Sequence, residues 1–302
     1  MKFSVAVAMS DPSHYGPLAE AAEALGYHAV VLPDSIFYSD EVSAPYPYTG
    51  DGKRMWGAET PFLDPLIAVA HMAARTRTLF FYTSVVKLSV RHPVLVAKQL
   101  GSLAALTGDR FGFGIGLGWM PEESRWCGTD HATRAPRFEE EVQILKGLLA
   151  GGPFEFHGTY YDFGRIQMSP APQKRMPIYV GGHEPPGLRR AARHGDGWSS
   201  AMLPAKKLVE LVQRLKGVLA EEGRANDPFE IQGVVTDVGD AAGFRRLEDA
   251  GVTDLITMPW ALYGHGLGGA PLDKKLDGMK RFADQVIARM PVTSSGSADR
   301  AS

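Results

Sequence analysis

The stretch RHPVLVAKQLGSLAALTGDRFGFGIGLG, residues 91–118, holds one complete helix-then-strand step. Pro93 stands where a first helical turn tolerates a residue without an N–H. Leu95, Leu100, Leu103 and Leu106 follow at helical spacing. The run Arg110 to Gly118 then changes period: apolar residues alternate with glycines, as they do on a strand with one crowded face.

The same alternation extends in both directions. Upstream, Phe3 to Met9 reads as a strand and Tyr15 to Leu25 as a helix closed by Gly26. His28 to Leu32 is a second strand, Phe62 to Ala74 a helix, and TLFFYTSV (78–85) a third strand. Downstream come a helix from Arg134 to Leu149, the strand PIYVGG (177–182) and a helix from Pro186 to His194. A short sixth strand is expected at Gly197 to Ser200, then a helix from Pro204 to Glu222 and the strand FEIQGVVTDV (229–238). A helix from Ala241 to Ala250 ends at Gly251, DLITMP (254–259) is the eighth strand, and Leu272 to Met290 can close the fold. Two segments break the rhythm: the irregular stretch Pro33 to Pro61, and Gly151 to Met176, which reads as a hairpin or extended excursion. Eight strands with intervening helices predict an α/β fold, a single (β/α)8 TIM barrel over residues 1–290, with a disordered polar tail at 291–302.

The 302 residues suit one barrel of about 250 residues with insertions. A net charge of −2 gives no general attraction to nucleic acid or to an anionic membrane. The lone Cys127 excludes an intrachain disulfide and points to a reducing compartment; with no long apolar run and no signal peptide, the cytoplasm is expected.

A barrel carries its site at the C-terminal ends of its strands. Those ends read Asp34-Ser35, Thr83-Ser84-Val85, Gly116 to Trp119, Gly181-Gly182-His183, Gly197-Trp198 and Met258-Pro259-Trp260. Glycines, small hydroxyls and aromatics dominate, which suits a flat ring cofactor better than acid–base hydrolysis. Gly181-Gly182 can bring backbone N–H groups to a phosphate, or can simply be a tight turn. Gly116 and Gly118 can clear space beside a ring, or can serve close strand packing; their alternation along a strand is not a dinucleotide-binding loop. The hydroxyls of Thr83 and Ser84 can meet ring heteroatoms or their own backbone. Asp34 can hold a polar cofactor edge or cap a turn. His92 reads as a cap and His71 as structural. Ser35, Trp56, Trp119, Trp198 and Trp260, with Tyr46, Tyr48 and Tyr263, suggest an aromatic-lined, partly lidded substrate pocket, the alternative being ordinary rim packing. No histidine spacing asks for a metal, and no catalytic acid or base stands out.

GYHAVVLPDS, the opening stretch with its Trp119 and trailing PEE, RFEEEVQILKGLL, FHGTYYDF and PAPQKRMPIYVGGHEPPGLRRAARHGDGW occur in one order across residues 20 to 200. In these segments the chain resembles the luciferase-like monooxygenase superfamily, in its coenzyme F420-dependent oxidoreductase branch. The resemblance implies a barrel that binds coenzyme F420 or FMN in its mouth, commonly as a homodimer. By position it places Thr83, Ser84 and Val85 beside the ring, with a non-proline cis peptide at Ser84-Val85. It also implies Asp34, Gly116 and Gly118 near the ring, and the phosphate at Gly181 and Gly182. Two departures stand out. Ser35 occupies a position where many members have His, and Trp119 one where the sugar-phosphate dehydrogenases have Glu, with Glu122 and Glu123 a turn further on.

The leading expectation is hydride transfer between coenzyme F420 and a small apolar or planar organic substrate. Lys53, Arg54, Lys87, Arg91, Arg189 and Arg190 are available for the coenzyme's anionic tail. The alternatives are an FMN-dependent monooxygenase served by a separate reductase, and a non-catalytic flavin-binding protein.

Overall fold

The computed structural model describes residues 1–290; the tail expected to be disordered lies outside the described residues. Among the described residues eleven strands form: β1 (Lys2–Ala6), β2 (Ala29–Leu32), β3 (Phe80–Thr83), β4 (Val86–Lys87), β5 (Phe111–Gly116), β6 (Pro153–His157), β7 (Asp162–Gln167), β8 (Ile178–Gly181), β9 (Gly197–Leu203), β10 (Glu230–Val235) and β11 (Asp254–Thr257). The parallel order runs β3-β2-β1-β11-β10-β9-β8-β5, and β3 pairs with β5 to close the ring. Eight strands therefore make a TIM barrel, with the two-residue β4 as an extra strip on β5. Among the described residues no helix is long and apolar enough to cross a membrane.

The alternation read in residues 110–118 has a spatial meaning. Phe111, Phe113 and Ile115 point out into the core beneath the helices. Gly112 and Gly114 take the interior face, where Tyr179 and the end of β3 fill the space: a Cβ on Gly112 would come 2.6 Å from the Tyr179 ring, and one on Gly114 would overlap the Thr83 carbonyl. Deeper in the barrel, Tyr82 donates to Asp254 at 2.8 Å and Ser4 donates to both Asp254 oxygens at 2.9 Å. Burial pushes the Asp254 carboxyl up to about 6 despite these bonds.

Local signals set the helix ends. Asp64 accepts from the N–H groups of Leu66 and Ile67, so the helix starts at Pro65, three residues later than expected. His92 Nδ1 accepts from Val94 N–H, the capping role read from sequence, and Gly108 closes that helix at φ 65°. The closing helix stops at Gln285 and gives way to a 3-10 turn.

The excursion is an antiparallel hairpin of β6 and β7. Glu140 accepts from the N–H groups of Thr159, Tyr160 and Tyr161, while the Tyr161 hydroxyl donates to Glu141 at 2.7 Å. Two adjacent carboxylates of one helix thus fasten the hairpin to the barrel wall.

Candidate functional site

β3 ends at Thr83, and the next peptide, Ser84–Val85, is cis. Val85 sits between two strand ends. A Cβ on Gly116 would lie 2.7 Å from Val85 Cγ2, and one on Gly181 would lie 3.2 Å from both Val85 methyls. Gly116 and Gly181 therefore leave room for Val85 itself. Gly118, at φ 80°, clears the Lys87 stem, whose Cγ would stand 3.2 Å from an added Cβ. Ser84 Oγ meets Ser199 Oγ at 3.0 Å, tying the end of β3 to β9.

Thr83 differs from the ring-contact expectation. It is fully buried, and its hydroxyl donates to Gly114 O at 2.8 Å and accepts from Gly114 N–H at 2.9 Å. Both capacities are used inside the barrel wall, which leaves only Ser84 and Val85 of the three with surface at the mouth.

Beside this segment lies a buried charged cluster. Asp34 accepts two bonds from Arg91, Nη2 to Oδ1 and Nη1 to Oδ2, both at 2.8 Å, and a third from Lys87 N–H at 3.0 Å. Its side chain is only 2% exposed. Asp34 is thus a clamp on the segment after β3 and presents no free oxygen to a cofactor edge. Lys87 Nζ pairs with Glu123, whose Oε1 also accepts from Ile36 N–H. Lys87 and Arg91 are committed to these pairs, which removes them from the cations available for an anionic tail.

The short helix Pro121–Trp126 carries Glu122 as well as Glu123. Glu122 Oε1 accepts from the Ser43 hydroxyl at 2.7 Å and from Ser43 N–H at 3.1 Å, and the hydroxyl bond is the main cause of its lowered pKa. The Oε2 atoms of both glutamates are buried without a partner among the described residues. The two carboxylates pin the irregular stretch after β2 from below.

That stretch crosses the mouth. Tyr46 packs edge-on against Trp119 (5.3 Å), Trp56 (5.1 Å) and Tyr48 (5.4 Å), and Trp56 packs on Phe62. Tyr48 continues to His183, 5.4 Å between ring centroids. The aromatic chain therefore runs from the end of β5 to the end of β8. Burial pushes the Tyr46 hydroxyl up to about 12. A cavity of about 580 Å³ opens within that stretch, lined by Tyr38, Asp40, Ser43, Tyr46, Lys53 and Arg54 together with Trp119. The Arg54 guanidinium lies 3.8 Å from the Tyr38 ring centroid. Ser35 is half-buried at the start of the stretch, and its hydroxyl bonds no other group among the described residues.

The Gly181-Gly182 turn leads into the helix Pro185–His194, one residue earlier than expected. Gly182 holds φ 129°, and its Cα lies against Gly187, where an added Cβ would come 3.1 Å away. Trp198 supports this turn from the outer side of the sheet, donating from Nε1 to Gly182 O at 2.8 Å. It is fully buried and sits near the start of β9, which extends to Leu203, so it lines no open pocket. Trp260 is corrected likewise. It is fully buried, donates to Leu267 O at 2.9 Å, and packs beneath the closing helix where Gly278 makes room. Of the five residues expected in a substrate pocket, Trp119 and Trp56 meet through Tyr46 at the mouth, Ser35 stands nearby, and the two buried tryptophans serve the core.

The sequence left three contributors unassigned. Glu122 and Glu123 became recognisable as a latch only with Ser43 and Ile36 in place. His183 follows the glycine turn, and its Nε2 accepts from Ala201 N–H at 3.0 Å. The residue order GGH was the available signal, and it said nothing of the partner on β9.

A family model described as luciferase-like monooxygenase matches residues 5–236. An uncharacterized protein of Mycobacterium tuberculosis is 43% identical over 290 residues, 96% of this chain and 100% of that protein. Among solved structures, monooxygenase RslO1 from Streptomyces bottropensis matches with a TM-score of 0.72 at 20% identity, over 96% of this chain and 100% of that one. The coenzyme F420 dependent tetrahydromethanopterin reductase from Methanopyrus kandleri matches with a TM-score of 0.71 at 15% identity, over 96% of this chain and 99% of that one.

Proposed function

The chain belongs to the luciferase-like monooxygenase family of oxidoreductases, and on that premise we propose that it binds coenzyme F420 and transfers a hydride to or from a small apolar or planar organic substrate. The observation that carries this reading is the cavity within the irregular stretch at the mouth. It joins aromatic walls, Tyr46 and Trp119, to two cations, Lys53 and Arg54, against the single carboxylate of Asp40, just beyond the end of β5 at Gly116. Aromatic walls suit a planar molecule, and the cations suit an anionic tail. Bound at the mouth, the deazaflavin supplies hydride chemistry at its C5 carbon.

The chain's own residues position and shield. Val85, seated by its two glycines, presents an apolar bump, and Ser84, fixed through Ser199, presents a hydroxyl beside it. The stretch from Pro33 to Pro61, held by Glu122 and Glu123, covers the mouth and limits water access. With no acid or base at the mouth assigned a proton-transfer role, catalysis rests on orientation and water exclusion.

The family model's description favours a second reading, oxygen chemistry with reduced FMN delivered by a separate reductase. Titration of the purified protein with coenzyme F420 and with FMN, each oxidised and reduced, separates the two. Tighter F420 binding is expected; clearly tighter binding of reduced FMN overturns the F420 reading.

A homodimer is also proposed. The helices Pro65–Ala73 and Pro93–Thr107 lie side by side and leave Ile67, Leu95 and Leu106 exposed at 73%, 65% and 74%, a concentration of apolar surface that a second copy would cover.

A further inference from the structure

A phosphate at the end of β8 would ordinarily draw on the N-terminus of the following helix, through free N–H groups and the helix dipole. This helix supplies little of either. Its first two residues are Pro185 and Pro186, which have no N–H, and Gly187 N–H is already bonded to Glu184 O at 2.8 Å. The residue capping it is Glu184, whose exposed carboxylate opposes an anion. The helix's own first donors are therefore lacking, and the backbone N–H groups of the turn itself are what remains there.

His183 stands at that turn with a fixed tautomer. Its Nε2 accepts from Ala201 N–H at 3.0 Å, so Nε2 carries no proton and the ring hydrogen is on Nδ1. Protonating Nε2 would set two N–H groups against each other, and burial pushes the imidazole pKa down in the same direction. Nδ1–H bonds no group among the described residues and is accessible to solvent. Tyr48 packs on the ring from the covering stretch and Trp198 from the wall, which fixes its plane.

We propose that His183, held neutral as the Nδ1–H tautomer by Ala201, is the side-chain donor to the phosphate of the ring cofactor, replacing the helix donors that Pro185 and Pro186 remove. The inference rests on the flavin or deazaflavin reading above, but not on which of the two cofactors binds. FMN has the phosphate-free counterpart riboflavin, and coenzyme F420 has its phosphate-free deazaflavin chromophore. The discrimination between phosphorylated and phosphate-free forms isolates the phosphate contact.

Dissociation constants for these four compounds would be measured with wild type, His183→Ala and His183→Gln. Loss of a donor to a charged group predicts about tenfold weaker binding of the phosphorylated form by His183→Ala. The phosphate-free form should bind within about twofold of wild type, because the ring contacts are unchanged. His183→Gln can keep the acceptor for Ala201 N–H without restoring a donor at the Nδ1 position, so it should behave like His183→Ala. A histidine ¹⁵N correlation spectrum of unliganded wild type at neutral pH should show Nδ1 protonated and Nε2 bare, a readout that needs neither cofactor nor a folded variant. The Nε2–H tautomer or an imidazolium in that spectrum overturns the inference, as does unchanged phosphate discrimination in both variants. Failure of wild type to bind any of the four compounds overturns the flavin reading and this inference with it; binding with unchanged discrimination overturns this inference alone.

Discussion

Arg91→Met should be among the most damaging single substitutions at the mouth, because it strands a buried carboxylate. Asp34 has three donors, two of them on Arg91, and its side chain is 2% exposed. Methionine restores much of the arginine stem's volume but neither N–H nor charge. Breaking one side of a buried pair costs about 3–5 kcal/mol, and the Lys87 N–H that remains places this case near the lower end, about 3 kcal/mol. For a chain of this size that corresponds to a melting point lowered by roughly 6 °C. The informative comparison adds Asp34→Asn. Asparagine has no charge to strand and can still accept from Lys87 N–H, so Asp34→Asn/Arg91→Met should recover about half of the loss. Urea unfolding of wild type, both single variants and the double variant gives the coupling directly. Equal stabilities for Arg91→Met and the double variant would refute the reasoning, since the cost would then lie in lost packing and not in an uncompensated charge. A loss below about 1 kcal/mol would refute it too, by showing that water reaches Asp34.

The remaining predictions concern pH and assembly. Burial raises the Glu141 carboxyl from 4.5 to about 7, against the hydrogen bond from Tyr161. The folded state therefore keeps a proton that the unfolded chain releases first, so this group favours folding below pH 4.5 and loses that contribution as pH rises towards 7. Glu141→Gln abolishes the titration, and its stability relative to wild type should rise by about 3 kcal/mol between pH 4.5 and 7.5; parallel urea curves across that range would exclude the assignment. Asp254, raised to about 6, adds a slope of the same sign across pH 4 to 6 that Asp254→Asn should remove. Ile67→Asp/Leu106→Glu puts charge into the apolar surface of the two exposed helices and should yield a folded monomer in sedimentation, and an unchanged dimer would place the interface elsewhere.

Much of the fold was legible because its signals are local. A change of period from 3.6 to 2 marks each step from helix to strand, and Pro93, His92 and Gly251 act on N–H and C=O groups within a few residues of themselves. The alternating glycines after Arg110 announced a crowded strand face, and the excursion before β8 was expected as a hairpin or an extended segment, of which the hairpin formed. Boundaries moved where a cap or register outside the local pattern intervened, as with Asp64 ahead of Pro65 and the three extra residues of β9. The candidate site was legible only in outline, because strand ends identify which residues approach the mouth and not what each one meets there.

Those meetings depended on closing the barrel. Thr83 spends its hydroxyl on Gly114, 31 positions away, and Asp34 spends its carboxylate on Arg91, 57 positions away. Glu122 finds Ser43 at a separation of 79, and His183 finds Ala201 across a helix. Trp198 reads as a mouth residue from its neighbours in sequence, yet the phase of β9 turns it outward under the helices. The sequence by itself determined an eightfold alternation and the residues that cap and turn it, since propensity and periodicity act over a few bonds. Tertiary structure alone decided which polar groups were already satisfied and which stayed open, since a hydrogen-bond partner is chosen by distance in space, and distance along the chain carries almost no record of it.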